Sequence, residues 1–134
     1  MDFSKTTQYA IRALSFMAQN EKEMYIASEL HEKLKIPQQY LRRMLKDLSK
    51  NGLLKSIKGK NGGFVFARST EEIFLSDIVA ITEKGEIMRA CIFGFESCRL
   101  KEKCAMHDIW AASKENVNNI LSQTSLAKMN ANFI

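Results

Sequence analysis

The chain has a single proline, Pro37, which divides two short amphipathic stretches and constrains the fold more than any other residue. Proline lacks an N–H, so it ends a preceding helix and fits the first turn of a new one. Before it, residues 27–35 place Leu30 and Leu34 four apart, the spacing of a short helix. After it, Leu41, Met44, Leu45 and Leu48 form an inward stripe, and Gln38, Gln39, Arg42, Arg43 and Lys46 occupy the other faces. Asn51-Gly52 closes this second helix, because both residues tolerate the left-handed conformation of a helix end. Two short helices across a tight turn, the second polar and basic on its outer side, make a helix-turn-helix arrangement.

The flanking segments extend that arrangement. Residues 4–20 predict a helix, with Ala10, Ala13, Leu14, Met17 and Ala18 on one face. Downstream, Leu53 to Ile57 reads as a strand, Lys58 to Gly63 as a glycine-rich turn, and Phe64 to Ala67 as a returning strand. Such a hairpin with lysines at its tip is a wing: glycines let the backbone approach a phosphate and lysines supply charge. Ser69 to Glu72 forms a link, and Ser76 is placed to cap a short helix carrying Ile78, Val79 and Ile81. Residues 91–104 show no sustained period and read as a loop. From about 105 to 122 a longer helix is expected, with Trp110, Val117, Ile120 and Leu121 near one side, and residues 123–134 are expected to fray. A helix this long beside a small domain needs a cover for its apolar side, and a second copy of the chain is the favoured one. The expected fold class is mainly α with a small β-hairpin wing. Residues 1–70 form a winged helix-turn-helix DNA-binding region. Residues 71–134 form a linker helix, a cysteine loop (91–104) and a dimerisation helix (about 105–122).

Charge follows the same division. Residues 35–68 carry nine lysines and arginines against Asp47 alone, while the net charge of the whole chain is only +5, so the remainder is net acidic. A basic block inside an otherwise acidic chain is a directed electrostatic feature, and double-stranded DNA is the partner it suits. Arginines bind guanine bidentately and glutamines read adenine, which marks Gln38, Gln39, Arg42 and Arg43 as candidate readers. Arg42 and Arg43 are adjacent and point about 100° apart, so one reads a base while the other holds a phosphate. Lys46, Lys58 and Lys60 suit phosphates, which position rather than specify. Tyr40 is placed either to contact a phosphate or to pack under this helix, with packing favoured, and His31 reads as a surface residue without a role. No apolar run is long enough to span a membrane, and the N-terminal stretch lacks the pattern of a secretory signal, so a cytoplasmic protein is expected.

All three cysteines fall in one stretch with a histidine: Cys91, Cys98, Cys104 and His107, within CIFGFESCRLKEKCAMH. An odd cysteine count without export argues against a disulfide scaffold. Three thiolates and an imidazole suit an iron–sulfur cluster or a closed zinc site, and clustered thiols also serve as a metal-free switch. Arg99, Lys101 and Lys103 would favour the ionised thiols. No catalytic signature is present: there is no Ser/His/Asp pattern, and the Gly59–Gly63 turn lies between strands rather than before a helix, where a nucleotide loop belongs. An enzyme is not expected. A zinc-stabilised adaptor that binds protein is the other alternative, and the basic excess argues against it.

The order of elements, with the strings YLRRMLKDLSKNGLL, SIKGKNGGFVFAR and C-x6-C-x5-C-x2-H before Asp108-Ile109-Trp110, resembles the Rrf-two family of bacterial regulators, of the IscR/NsrR type, over about residues 1–125. The resemblance implies a homodimeric winged-helix transcription factor whose long C-terminal helices pair. Its recognition helices enter successive major grooves and its wings reach the minor groove. Many members carry an iron–sulfur cluster. On this resemblance Gln39, Arg42 and Arg43 fall at base-facing positions. Lys58 stands where the wing residue is often arginine; it keeps the charge without the flat fork that suits a narrow minor groove. Cys91, Cys98 and Cys104 match the thiolate ligands, and His107 matches the histidine of a two-iron cluster, which is favoured over a four-iron one. Some relatives complete the cluster with a carboxylate near position 8, where this chain has Gln8. That favours His107, or an oxygen donor such as Asp2 or Asp108.

Overall fold

Four apolar positions of one basic helix supply the centre of the core, and the other elements pack around them. The computed structural model describes residues 3–83, 102 and 104–129. The elements in chain order are α1 (Lys5–Met17), α2 (Ala27–Leu34), α3 (Gln38–Lys50), β1 (Leu54–Ile57), β2 (Gly63–Phe66), α4 (Leu75–Thr82), α5 (His107–Gln123) and α6 (Leu126–Met129). Leu41, Leu45 and Leu48 of α3 are fully buried and Met44 almost so. They meet Ala10, Ala13, Leu14 and Met17 of α1, Leu30 and Leu34 of α2, and Ile78 of α4 in one continuous cluster. Each buried leucine contributes about 1.5–3 kcal/mol relative to an exposed one. The mainly α architecture with one two-stranded antiparallel hairpin is the one the sequence predicts.

The turn between α2 and α3 is built from three residues. Lys35 ends α2 in the left-handed region, at φ 57°. Ile36 is fully buried and pins the turn to the core. His31 reaches across it, with Nδ1 2.6 Å from the Ile36 carbonyl oxygen. A carbonyl only accepts, so Nδ1 carries the proton. His31 is exposed, as expected, yet it ties the turn, a part its sequence neighbours do not signal. Pro37 stands at the N-cap of α3, one residue before the first helical turn. At the other end Asn51 keeps ordinary dihedrals and Gly52 alone takes the positive φ, at 84°. Leu53 N–H then donates to the Leu48 carbonyl at 3.0 Å, closing the helix end.

The hairpin pairs Leu54 with Phe66 and Ile57 with Gly63. It is not free-standing. Tyr25 forms an antiparallel bridge with Phe64 from the other side, the two residues exchanging N–H···O bonds of 2.9 and 2.7 Å. A side chain at Gly63 would meet the Tyr25 carbonyl oxygen at 2.7 Å, and one at Gly62 would overlap the Ile57 carbonyl. Both glycines are there because backbone passes backbone at those points.

Two expectations beyond the wing are corrected. Ser76 does not cap α4: the helix starts at Leu75 with Phe74 as its N-cap, and Ser76 lies inside the first turn. The Asp77 carboxylate instead reaches back and accepts from the Phe74 N–H at 2.9 Å. Nor does the chain after α5 fray over its described part. Ser125 bridges Phe74, Leu126 N–H donates to the Ile73 carbonyl at 2.6 Å, and Leu126 is fully buried. An isolated apolar residue in a polar stretch gives no periodic signal of this docking.

Glu83 closes α4 back onto the start of α1. Its carboxylate accepts from Thr7 Oγ1 at 2.6 Å and from the Ser4 N–H and hydroxyl, each at 3.2 Å. Thr7 Oγ1 also lies 2.7 Å from the Thr82 hydroxyl. The Thr7 hydroxyl bond, with help from the Ser4 bonds, lowers the Glu83 pKa below its ordinary value against the opposing effect of burial. An acid at a helix N-terminus is also favoured by the helix dipole.

The Lys35 backbone and the Glu83 network each set a stability that can be measured. Lys35→Gly relieves the left-handed backbone and raises unfolding stability by roughly 0.5–1 kcal/mol, read from urea denaturation. Glu83 has a lowered folded pKa, so its stabilisation is complete above the ordinary carboxylate pKa and fades as pH falls through the folded value. Glu83→Gln is therefore less stable than the parent chain near neutral pH, and the two stability curves converge in acid.

Candidate nucleic-acid interface

Burial of the α3 stripe turns the opposite face outward. Gln39, Arg42, Arg43 and Lys46 are exposed there and Gln38 is half-buried. Gln39, Arg42, Arg43 and Lys46 line a shallow hollow of ≈ 490 Å³ whose far wall is Phe64 of β2. The Tyr25 bridge fixes Phe64, and with it the distance between α3 and the wing. Lys58 and Lys60 are exposed at the hairpin tip, where Gly59 turns the chain at φ 114°. Arg68 pairs with Asp77 at 3.1 Å, and among the described residues none of the α3 or wing cations is in an ion pair. The structure thus brings together Gln39, Arg42, Arg43 and Lys46 in one surface, with Lys58 and Lys60 on the adjacent tip. Phe64 is a part of this surface that the sequence did not mark, and the buried Tyr25 holds it from behind. Tyr40 stands edge-on to Tyr9, with ring centroids 5.5 Å apart, and Arg12 lies over the Tyr9 ring at 5.6 Å.

An unneutralised cationic surface in which a helix and a hairpin tip project side by side can take up phosphates along a duplex while the helix reaches base edges. This surface assembles no set of nucleophile, base and oxyanion donors among the described residues.

Of the four candidate metal ligands, Cys104 and His107 are described; Cys91 and Cys98 lie outside the described residues, as do Asp2, Arg99, Lys101 and Lys103. Cys104 and His107 are both half-buried. His107 opens α5, and its N–H donates to the Cys104 carbonyl at 3.1 Å, so the two residues share one turn. Cys104 is a free thiol. A half-buried thiol and imidazole on the same turn suit a shared metal or cluster in donor type and access. Gln8 is occupied otherwise: its side-chain amide donates to the Phe3 carbonyl at 2.8 Å. Among the described residues no helix is long and apolar enough to cross a membrane.

The fold and this surface define a winged-helix DNA-binding regulator. Comparison with known proteins makes the class specific. The Rrf2 family model, described as an iron-dependent transcriptional regulator, matches residues 3–132, and the chain belongs to this family. It is 26% identical over 130 residues to the transcriptional regulator IscR of Xenorhabdus nematophila, a match covering 96% of this chain and 79% of that protein. In structure it resembles CymR, the global cysteine regulator of B. subtilis, with TM-score 0.82, 20% identity and coverage of 97% and 96% of the two chains. It also resembles T. potens IscR, with TM-score 0.74, 24% identity and coverage of 96% and 85%. These relatives are transcriptional regulators, not enzymes, and the chain is a DNA-binding regulator of the same kind.

The two adjacent arginines separate in a binding assay. Arg42→Ala and Arg43→Ala are each expected to weaken DNA binding, and one of them, if it removes a bidentate base contact, to relax preference at one position by about 1–3 kcal/mol. The other weakens all sequences alike. Competition binding against operator variants reads the difference.

Proposed function

We propose that the protein is a cytoplasmic, homodimeric transcription factor whose grip on double-stranded DNA is set by an iron–sulfur centre. The observation that carries the DNA half is the unpaired cationic face of α3 beside the lysine-tipped wing. Gln38, Gln39, Arg42 and Arg43 read the major groove, and Lys46, Lys58 and Lys60 hold phosphates. Residues 1–70 form the reading region and 71–134 the sensing and pairing region. Support for pairing comes from α5. Ile109 is 58% exposed and Ile120 54% exposed. They lie eleven positions apart, which brings them onto the same helix face to within about 20°. Two exposed isoleucines on one face are costly in water, and a second copy of α5 covers them.

The sensing half rests on the donor set. Cys91, Cys98, Cys104 and His107 hold the centre, with two iron atoms in preference to four. When bound, such a centre supplies a redox-active and labile group whose charge depends on its ligands. Three thiolates with one imidazole also suit a structural zinc. The coupling follows from chain order, since the cysteine stretch stands between the reader and the pairing helix.

Protein purified without oxygen provides the test. Broad visible absorbance with stoichiometric iron and sulfide is expected. Cys98→Ala is expected to lose the colour and to change operator affinity by about tenfold, a typical coupling between linked sites. Unchanged affinity and sequence preference in that variant would sink the coupling. A colourless protein carrying stoichiometric zinc would assign a structural metal and leave DNA binding as it stands.

A further inference from the structure

Gln39 and Arg43, one turn apart on α3, form a ridge between two hollows. One is the open surface facing the wing. The other is a cleft of ≈ 250 Å³ bounded by Thr6 of α1, Tyr40 and Asp47 of α3, and Ile81 of α4. We propose that this second cleft binds a free α-amino acid and that, by holding Arg43, the bound molecule competes with DNA reading.

Size and charge select the ligand. The cleft is smaller than the roughly 300 Å³ at which drug-sized sites begin, so it suits a metabolite of few heavy atoms. Arg43 and Asp47 lie one turn apart on its wall, and among the described residues neither is in an ion pair. A cation N-terminal to an acid at this spacing is the weaker orientation of a helix pair, so the two charges gain little from each other. An α-amino acid carries a carboxylate and an ammonium on the same carbon. The guanidinium of Arg43 takes the carboxylate as a two-bond fork, and the Asp47 carboxylate accepts from the ammonium. Met44 and Ile81 offer apolar wall to the ligand's side chain, and Thr6 adds a hydroxyl. Tyr40 is held edge-on by Tyr9, so this wall is formed before anything binds. A simple dicarboxylate or a phosphate satisfies Arg43 but meets Asp47 with the wrong sign.

The consequence for DNA rests on the reading of α3 given above; the binding does not. A guanidinium engaged in the cleft is withdrawn from the duplex, and linkage requires that DNA weaken the ligand by the same factor.

The experiment is titration calorimetry of the full chain, with a thermal-shift assay alongside. The probes are each of the common free L-amino acids, succinate and inorganic phosphate, and the series is repeated on Asp47→Asn. Asp47 is exposed, so its substitution leaves the core untouched. One amino acid or a small group is expected to bind with Kd between about 1 μM and 1 mM, with affinity falling about tenfold or more in Asp47→Asn. The same ligand at saturation is expected to weaken operator binding of the parent chain about tenfold, and to do so less in Asp47→Asn. No heat and no thermal shift with any amino acid overturns the proposal, as does binding that Asp47→Asn leaves unchanged, or succinate and phosphate binding as well as the amino acids. Amino-acid binding in a chain that ignores DNA supports the cleft and overturns the DNA reading, so the two failures are distinct.

Discussion

Burial of the α3 stripe is the interaction on which the rest of the molecule depends. Leu41, Met44, Leu45 and Leu48 leave no choice about which side of that helix faces inward, because rotating it by half a turn would bury Arg42, Arg43 and Lys46 instead. Burying an unpaired guanidinium or ammonium costs several kcal/mol even after relaxation, which exceeds what any one leucine returns. The cationic face is therefore positioned by the core rather than by contacts of its own. Its side chains are held in place at the backbone and left free at their tips, as a surface that must adapt to a polyanion requires.

Periodic features of this kind were legible in the sequence. The α1, α2 and α3 stripes, the break at Pro37 and the glycine-rich hairpin all come from repeats or from residues with restricted dihedrals, and the structure has each of them. The contacts that hold these pieces together are single, and single contacts carry no pattern. Tyr25 joins the wing to the body through one bridge, His31 ties the turn through one bond, and Leu126 anchors the end of the described chain through one buried side chain. Nothing in the residues beside Tyr25, His31 or Leu126 distinguishes them from surface neighbours; only the tertiary partner does. The cap of α4 failed for a related reason. Ser76 and Asp77 are both competent capping residues, and the choice is made by where Ile73 and Leu75 meet the segment after α5.

The candidate site divides in the same way. The cations on α3 and the wing were readable because charge is a property of the residue. Phe64 was not, because it enters the surface only after β2 has folded back and been fixed from its far side. The cysteine stretch is a pattern of residue type and spacing; of it, Cys104 and His107 share one turn, and Cys91 and Cys98 lie outside the described residues.

The end of α4 is tied to the back of α3 through α1. The chain leaves α4 at Glu83, and there its carboxylate is bound to Ser4 and Thr7 at the first turn of α1. Thr7 is fully buried and also meets Thr82, so hydroxyls and one acid join the end of α4 to the start of α1 beside the apolar core. Hydrogen bonds are directional, and a displacement of about an ångström that leaves apolar packing nearly unchanged takes a bond beyond useful geometry. Apolar contacts between α1 and α3 then carry whatever α1 does to the back of the reading helix, because close-packed interiors transmit strain. Direction-sensitive bonds thus join α4 to α1, and stiff apolar packing joins α1 to α3.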